Sequence, residues 1–337
     1  MEILGHKSVQ RHLCSMLRED RLHHCLLFEG PTGLGKSLVA EWLTKLLMCE
    51  APVKEDIWKS CGSCFHCGSV DRNEHPNFIR VQPDRTMKKP KISVDIAREL
   101  IEQVGMLPRY KRPRVVLIDD ANCLTDGASN ALLKTLEEPN TPTIFILVVT
   151  SSNFLLTTVR SRSQKFRFAP VPTIQLRKWL SNQGIEAPTQ VLSLAQGCPG
   201  RALSLLQGEI EEWQTTVHQI LEMLKMNLTK MFVFCKDMLD DKSIDKNAKF
   251  QQILDVFEML LRDVIVWQTQ EDASTLLWSS QLDTIQQWAA VMTDKCIGDL
   301  HRLIEQARED SIINVNVRLQ LEALLVMFKR AVVLGYI

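Results

Sequence analysis

Eight consecutive residues constrain this chain more than any other feature: Gly30-Pro31-Thr32-Gly33-Leu34-Gly35-Lys36-Ser37 fits the pattern G-x-x-x-x-G-K-[ST]. The apolar run Cys25–Glu29 before it reads as a short buried strand, and the stretch from Lys36 to about Leu47 reads as a helix. That context gives the pattern its meaning, because a strand, a glycine-rich turn and a helix aim unpaired backbone N–H groups at one point. The residue types suit a phosphate. Glycines let the backbone curl around the anion, Lys36 neutralises its charge, and Ser37 offers a hydroxyl to a magnesium ion. The expected nucleotide-binding loop is therefore the whole run, Pro31, Thr32 and Leu34 included.

Magnesium also needs a carboxylate, and Val115-Val116-Leu117-Ile118 reads as a buried strand that delivers Asp119 to its C-terminal end, where ligands gather in open α/β sheets. Many ATPases of this kind follow that aspartate with a glutamate that orients the attacking water. Here Asp120 is one methylene shorter, and it reads either as a weak base or as a cap on the following helix. Nucleotide binding is better supported than hydrolysis.

Strands at 25–29, 78–81, 114–118 and 143–149 alternate with helices at 8–17, 36–47, 93–104 and 127–137, a pattern of βαβ units and a parallel sheet covered by helices. Pro170 and Pro172 mark a linker, beyond which the β signal disappears. Residues 172–208 read as a small helical lid. From residue 209 onward apolar positions recur at helical spacing, as in Ile253, Val256, Phe257, Leu260, Leu261 and Val264. Three units are expected: 1–171, 172–208 and 209–337.

With 40 basic and 40 acidic residues, the chain carries no global signature of a nucleic-acid or anionic-membrane binder. The neutrality is a sum of unlike parts, since residues 240–310 alone hold 14 acidic and 7 basic side chains. Conversely, Arg160, Arg162, Lys165, Arg167, Arg177 and Lys178 occur with no acid between them, a local basic stretch suited to phosphates or DNA. Charges interrupt the N-terminal apolar stretches, and the most apolar uncharged run, Thr143–Val149, is only strand-sized. A soluble, cytoplasmic protein with no membrane partner is expected.

Six of the ten cysteines (Cys14, Cys25, Cys123, Cys198, Cys235, Cys296) are scattered through apolar sequence and read as buried thiols. The others are Cys61, Cys64 and Cys67, in two overlapping C-x-x-C steps, and Cys49 upstream. Four thiolates at this density suit a tetrahedral structural zinc ion, giving a zinc module over 49–67. Reduced, unliganded thiols are the plainer alternative.

Four stretches carry a family resemblance: Leu22-His23-His24-Cys25-Leu26-Leu27-Phe28-Glu29-Gly30, Asn130-Ala131-Leu132-Leu133-Lys134-Thr135-Leu136-Glu137-Glu138-Pro139, Ser161-Arg162-Ser163 and Pro199-Gly200-Arg201-Ala202. In these the chain resembles the AAA+ clamp-loader ATPases of bacterial DNA polymerase III, and within them the delta-prime branch. The resemblance implies an AAA+ P-loop domain with a zinc-module insert, a helical lid and an all-α C-terminal collar. It implies ATP, Mg²⁺ and Zn²⁺ as cofactors. Family zinc modules have a shorter first gap, which keeps His66 and His75 as alternatives to Cys49.

Arg162 falls in the family's Ser-Arg-Cys motif, with Ser163 in place of the cysteine, where the arginine reaches into a neighbouring subunit's ATP site. Thr150 matches the sensor-1 position and Arg201 sensor 2. The implied partners are gamma/tau and delta subunits in a hetero-pentamer, the β sliding clamp and primed DNA, in the replication machinery at the bacterial nucleoid. Such a chain is a subunit of the DNA-directed DNA polymerase III holoenzyme, with weak ATPase activity at most and no polymerase chemistry of its own. One rival is the gamma/tau motor, against which stand the Asp119-Asp120 pair, the short N-terminal lead and the lack of a long C-terminal extension. The other is a protein-remodelling AAA+ ATPase, which needs a pore-loop aromatic. Tyr110 and Tyr336 are the only tyrosines, and neither is an obvious candidate.

Overall fold

In the computed structural model, residues 3–84, 90–239, 246–311 and 316–334 are described. Contacts divide the chain into two compact units, Met1–Pro188 with Ala195–Leu203, and Thr189–Leu194 with Ser204–Ile337.

The first unit is built on five parallel strands: β1 (Cys25–Glu29), β2 (Phe78–Val81), β3 (Arg114–Ile118), β4 (Thr143–Val149) and β5 (Gln164–Arg167), in the order β2-β3-β4-β1-β5. Parallel neighbours need crossovers, supplied here by helices α2 (Lys36–Met48), α3 (Phe65–Asp71), α4 (Val94–Gly105), α5 (Asp126–Glu137) and α6 (Thr157–Arg160), while α1 (Lys7–Arg18) precedes the first strand. Helices on both faces bury both faces, which is why β1, β3 and β4 read as unbroken apolar runs. Period-two alternation still sorts their side chains. Leu26, Phe28, Val115, Leu117, Ile146 and Val148 pack with α1 and α2 residues such as Leu13 and Leu43, whereas Leu27, Val116, Ile118, Phe145 and Leu147 pack with Leu100 and Leu132 of α4 and α5. Ser93 and Thr125 start α4 and α5 by accepting hydrogen bonds from the backbone N–H groups of Ile96 and Ala128.

β5, α3 and the four-residue helix α6 escaped the sequence reading. β5 lies at the sheet edge inside the basic stretch, where only Phe166 of its four residues is buried, so it shows no apolar run. α3 sits inside the cysteine insert and is one short segment capped by a cysteine side chain rather than by an apolar periodicity.

After β5 come α7 (Thr173–Asn182), α8 (Thr189–Leu194) and α9 (Pro199–Ser204). The stretch expected to form a separate lid is thus divided: residues up to 188 and 195–203 belong with the sheet, and α8 with the second unit.

The second unit consists of helices α10 (Ile210–Lys225), α11 (Leu228–Leu239), α12 (Lys246–Gln270), α13 (Leu282–Val291), α14 (Asp294–Asp310) and α15 (Val317–Leu334). α12 is its spine, burying Phe250, Ile253, Leu254, Phe257, Leu260, Leu261 and Val264, with Phe257 against Phe328 of α15 at 4.1 Å between ring centroids. Asp263 is fully buried and accepts hydrogen bonds from the backbone N–H groups of Leu277 (3.0 Å) and Trp278 (2.8 Å), so it ties the segment after α12 back onto it. Among the described residues, no helix is long and apolar enough to cross a membrane.

Candidate functional site

The loop expected to hold a nucleotide follows β1 directly and ends at Gly35, whose φ of +88° turns the chain into α2. No side chain caps α2, and its first turn holds no acid. The N–H groups there are open to an anion, and the helix dipole adds to the attraction. Gly33 (φ +82°) is required by close approach as well, since a Cβ there would lie 2.9 Å from the backbone nitrogen of Arg201. Gly200 at the start of α9 donates its N–H to Gly33 O at 2.8 Å, which pins α9 to the tip of the loop.

A cavity of about 440 Å³ opens beside this loop. Thr32, Gly33, Leu34, Gly35, Lys36 and Ser37 line it, with Asp119, Asp120 and Thr150 from the strand ends, Ile3 and Leu4 from the N-terminal segment, Trp179 and Gln183 from α7, and Pro199 and Gly200 from α9. Gly30 and Pro31 lie behind it. Their carbonyl oxygens accept hydrogen bonds from Lys36 Nζ at 2.5 and 2.7 Å, so the lysine is folded against its own loop. Burial pulls the Lys36 ammonium down to about 8, against the opposing pull of Asp120. A bound phosphate would pull it back up.

Ser37 and Asp119 meet as the sequence suggests, Ser37 Oγ donating to Asp119 Oδ1 at 2.7 Å. Arg80 of β2, which sequence reasoning missed, donates from Nη2 to Asp119 Oδ2 and from Nη1 to Glu41 Oε1, both at 2.7 Å. Each oxygen of Asp119 therefore accepts a hydrogen bond, and the Arg80 guanidinium stands directly beside the carboxylate. Although burial alone would raise the Asp119 carboxyl, hydrogen bonds from Arg80 and Ser37 together hold it below the usual range. The signal was present in sequence as a lone cationic residue inside the short strand Phe-Ile-Arg-Val.

Asp120 adopts a left-handed conformation (φ 52°) at the end of β3 and lines the cavity. Thr150 donates from its backbone N–H (2.9 Å) and hydroxyl (3.3 Å) to Asn122 Oδ1, a second partner the sequence reading did not single out. Arg201 donates from Nη1 to Gln196 Oε1 at 3.3 Å, and it is the neighbours Pro199 and Gly200 that line the cavity.

Arg162 lies on the same unit at the loop after α6. Its guanidinium pairs with Glu137 and donates to Thr158 O at 2.9 Å. The basic stretch around it is tied down internally: Lys165 pairs with Glu29 at 2.5 Å, Arg167 reaches the same carboxylate at 3.8 Å, and Arg160 donates to Asn153.

The four clustered cysteines converge. The sulfurs of Cys49, Cys61, Cys64 and Cys67 all lie within 4.8 Å of one another, and Cys61 and Cys67 are 4.0 Å apart. A tetrahedral zinc with Zn–S bonds of about 2.3 Å needs S···S separations of about 3.8 Å, close to those found. Backbone N–H groups point at the sulfurs, Cys61 N to Cys49 Sγ (3.2 Å) and Cys64 N to Cys61 Sγ (3.4 Å). Hydrogen bonds from the N–H groups of Ser63 and Cys64 bring the Cys61 thiol down to about 6, whereas burial pushes Cys67 up to about 12. His66 and His75, the alternative ligands, hydrogen bond to each other at 2.8 Å. Of the six scattered cysteines, all but the half-buried Cys123 are buried.

A family model described as DNA polymerase III, delta subunit, matches residues 5–172. The DNA polymerase III subunit delta' of Escherichia coli is 35% identical over 212 residues, 62% of each chain. The alignment thus spans less than two thirds of that relative. Its counterpart in Yersinia pestis is 30% identical over 335 residues, 96% of this chain and 94% of the relative. The Escherichia coli DNA polymerase III subunit tau is 32% identical over 181 residues, 54% of this chain but 27% of the relative.

Proposed function

The chain belongs to the family of DNA polymerase III delta' subunits, and on that premise we propose that it binds ATP at its P-loop and works as a structural subunit of the clamp loader. The observation that carries the nucleotide reading is the cavity beside an uncapped helix N-terminus, with Lys36 held on its own carbonyls. In the assembled loader, with gamma/tau and delta subunits around it, this chain helps place the β sliding clamp on primed DNA.

Arg162 supports a role in trans. It stands far in sequence from the P-loop, in the loop after α6, with its guanidinium on Glu137 and the Thr158 carbonyl. In a ring, its guanidinium would exchange Glu137 for the developing charge on a neighbour's γ-phosphoryl, an effect of roughly 10³–10⁵ in rate where such fingers act. Asp120 in place of a glutamate fits a site that seldom hydrolyses its own nucleotide. Thr150 and Arg201 are read as the elements that would sense the bound phosphate, with α9 pinned to the loop through Gly200.

Cys49, Cys61, Cys64 and Cys67 would hold one zinc ion whose role is to fix the insert between α2 and β2. The second unit, with its acidic surplus, is read as the collar that packs against other subunits, and the division into 1–171, a lid at 172–208 and 209–337 as the functional one.

The test is reconstitution with delta, gamma/tau and clamp. Native mass spectrometry is expected to find this chain in a five-membered ring, and Arg162→Ala is expected to lower DNA-stimulated ATPase while leaving the chain's own nucleotide binding intact. Equal ATPase in the two loaders would remove the finger from the proposal.

A further inference from the structure

We infer that Arg80 is a resident cation of the nucleotide site, holding the Asp119 carboxylate where a magnesium ion would otherwise sit, so that nucleotide binds with little need for magnesium. The inference rests on the nucleotide reading above. Arg80 lies on β2 in register with Leu117, two residues before Asp119 on the adjoining strand, and its side chain is only 24% exposed. Its two terminal nitrogens span Asp119 and Glu41, and Glu41 lies one helical turn beyond Ser37 on α2. Ser37 takes the other oxygen of Asp119.

This unit of one guanidinium and two carboxylates carries a net charge of −1, which the nearby Lys36 ammonium opposes. A guanidinium cannot be neutralised by losing its proton, and its planar fork suits paired carboxylates. Magnesium demands near-ideal octahedral oxygen ligands at about 2.0–2.1 Å. Placing it on Ser37 and Asp119 would set a dication beside the Arg80 guanidinium, which already lies 2.7 Å from Asp119 Oδ2. With Arg80 in place, the Asp119 charge is already screened from incoming phosphates. Lys36 and the N-terminus of α2 then supply the attraction. The same arrangement withholds the metal that would draw charge from a breaking phosphate bond, consistent with a site that binds and seldom cleaves.

The experiment is calorimetric titration of ATP into the full chain, in magnesium and in EDTA, for the parent, Arg80→Gln and Arg80→Lys. The parent is expected to change affinity by less than ~3-fold between the two buffers. Arg80→Gln exposes Asp119 to the phosphates and is expected to bind at least ~10-fold more tightly with magnesium than without. Arg80→Lys, which keeps the cation, is expected to follow the parent. A role confined to packing would weaken both buffers equally and overturn the inference. Should Arg80→Gln fail to fold, the parent and Arg80→Lys still decide the matter. Binding by the parent that depends on magnesium by ~10-fold or more overturns the inference and leaves nucleotide binding standing, whereas no binding in either buffer overturns both.

Discussion

The P-loop site and the cysteine cluster occupy the same unit and await opposite charges, and they differ in how they manage without them. At the P-loop Lys36 has the carbonyls of Gly30 and Pro31 as partners, and Asp119 has Arg80 and Ser37. The cysteine cluster has no such internal balance. Four sulfurs meet one another and backbone N–H groups, and burial opposes ionisation of Cys67. The lesson is that the first site should tolerate an empty state, whereas the second should need its ion to hold the fold of residues 49–67.

The largest expected effect tests that contrast directly. Chelation, or Cys64→Ala, should lower the stability of the first unit by on the order of 5 kcal/mol, since a structural metal's binding energy is folding energy. The purified parent should carry about one zinc per chain by elemental analysis. A chelated protein that melts like the parent would break the comparison.

Next comes Lys36→Ala. It should leave the melting temperature of the empty protein near the parent's, yet abolish the stabilisation by ATP, which at a hundredfold excess over Kd is worth about 2.7 kcal/mol. A parent that shows no ATP shift would remove the anion from the argument altogether.

Gly33→Ala should cost about 2 kcal/mol in urea unfolding, because a side chain at φ +82° is strained and its Cβ would meet Arg201 N. A neutral result would mean that α9 is not pinned to the loop.

The smallest effect is a pH dependence. Lys36 titrates near 8 when folded and at 10.5 when unfolded, so between those values the unfolded chain holds more protons and the empty protein gains stability as pH rises. ATP affinity should move the other way, falling above about pH 8 as the ammonium is lost. Fluorescent-nucleotide titrations across pH 7–10, with Lys36→Arg as the control that stays charged, would sharpen the comparison.

Much of the P-loop half was legible because its signals are local. Gly30–Ser37 carries its chemistry in consecutive residues, and β1, β3 and β4 announce burial by unbroken apolar runs. β5 was not legible, since Gln164-Lys165-Phe166-Arg167 becomes a strand only because β1 offers it an open edge. Nor was the pairing of Arg80 with Asp119, which depends on β2 lying beside β3 in a parallel register. The basic stretch read as a surface for phosphates, yet Lys165 and Arg167 find Glu29 across neighbouring strands. The role of Asp263 was not legible either: it accepts hydrogen bonds from the backbone N–H groups of Leu277 and Trp278 after the chain has turned back on α12.

By itself, then, the sequence determined the phosphate loop, the alternation that makes a parallel sheet and the four thiols at metal-binding density, because each follows from residue type and short spacing. Tertiary structure alone decided which charges neutralise one another: Arg80 with Asp119 and Glu41, Arg162 with Glu137, Lys165 with Glu29. Electrostatic pairing acts through space over a few ångströms, and only the packed strands bring residues so distant along the chain that close.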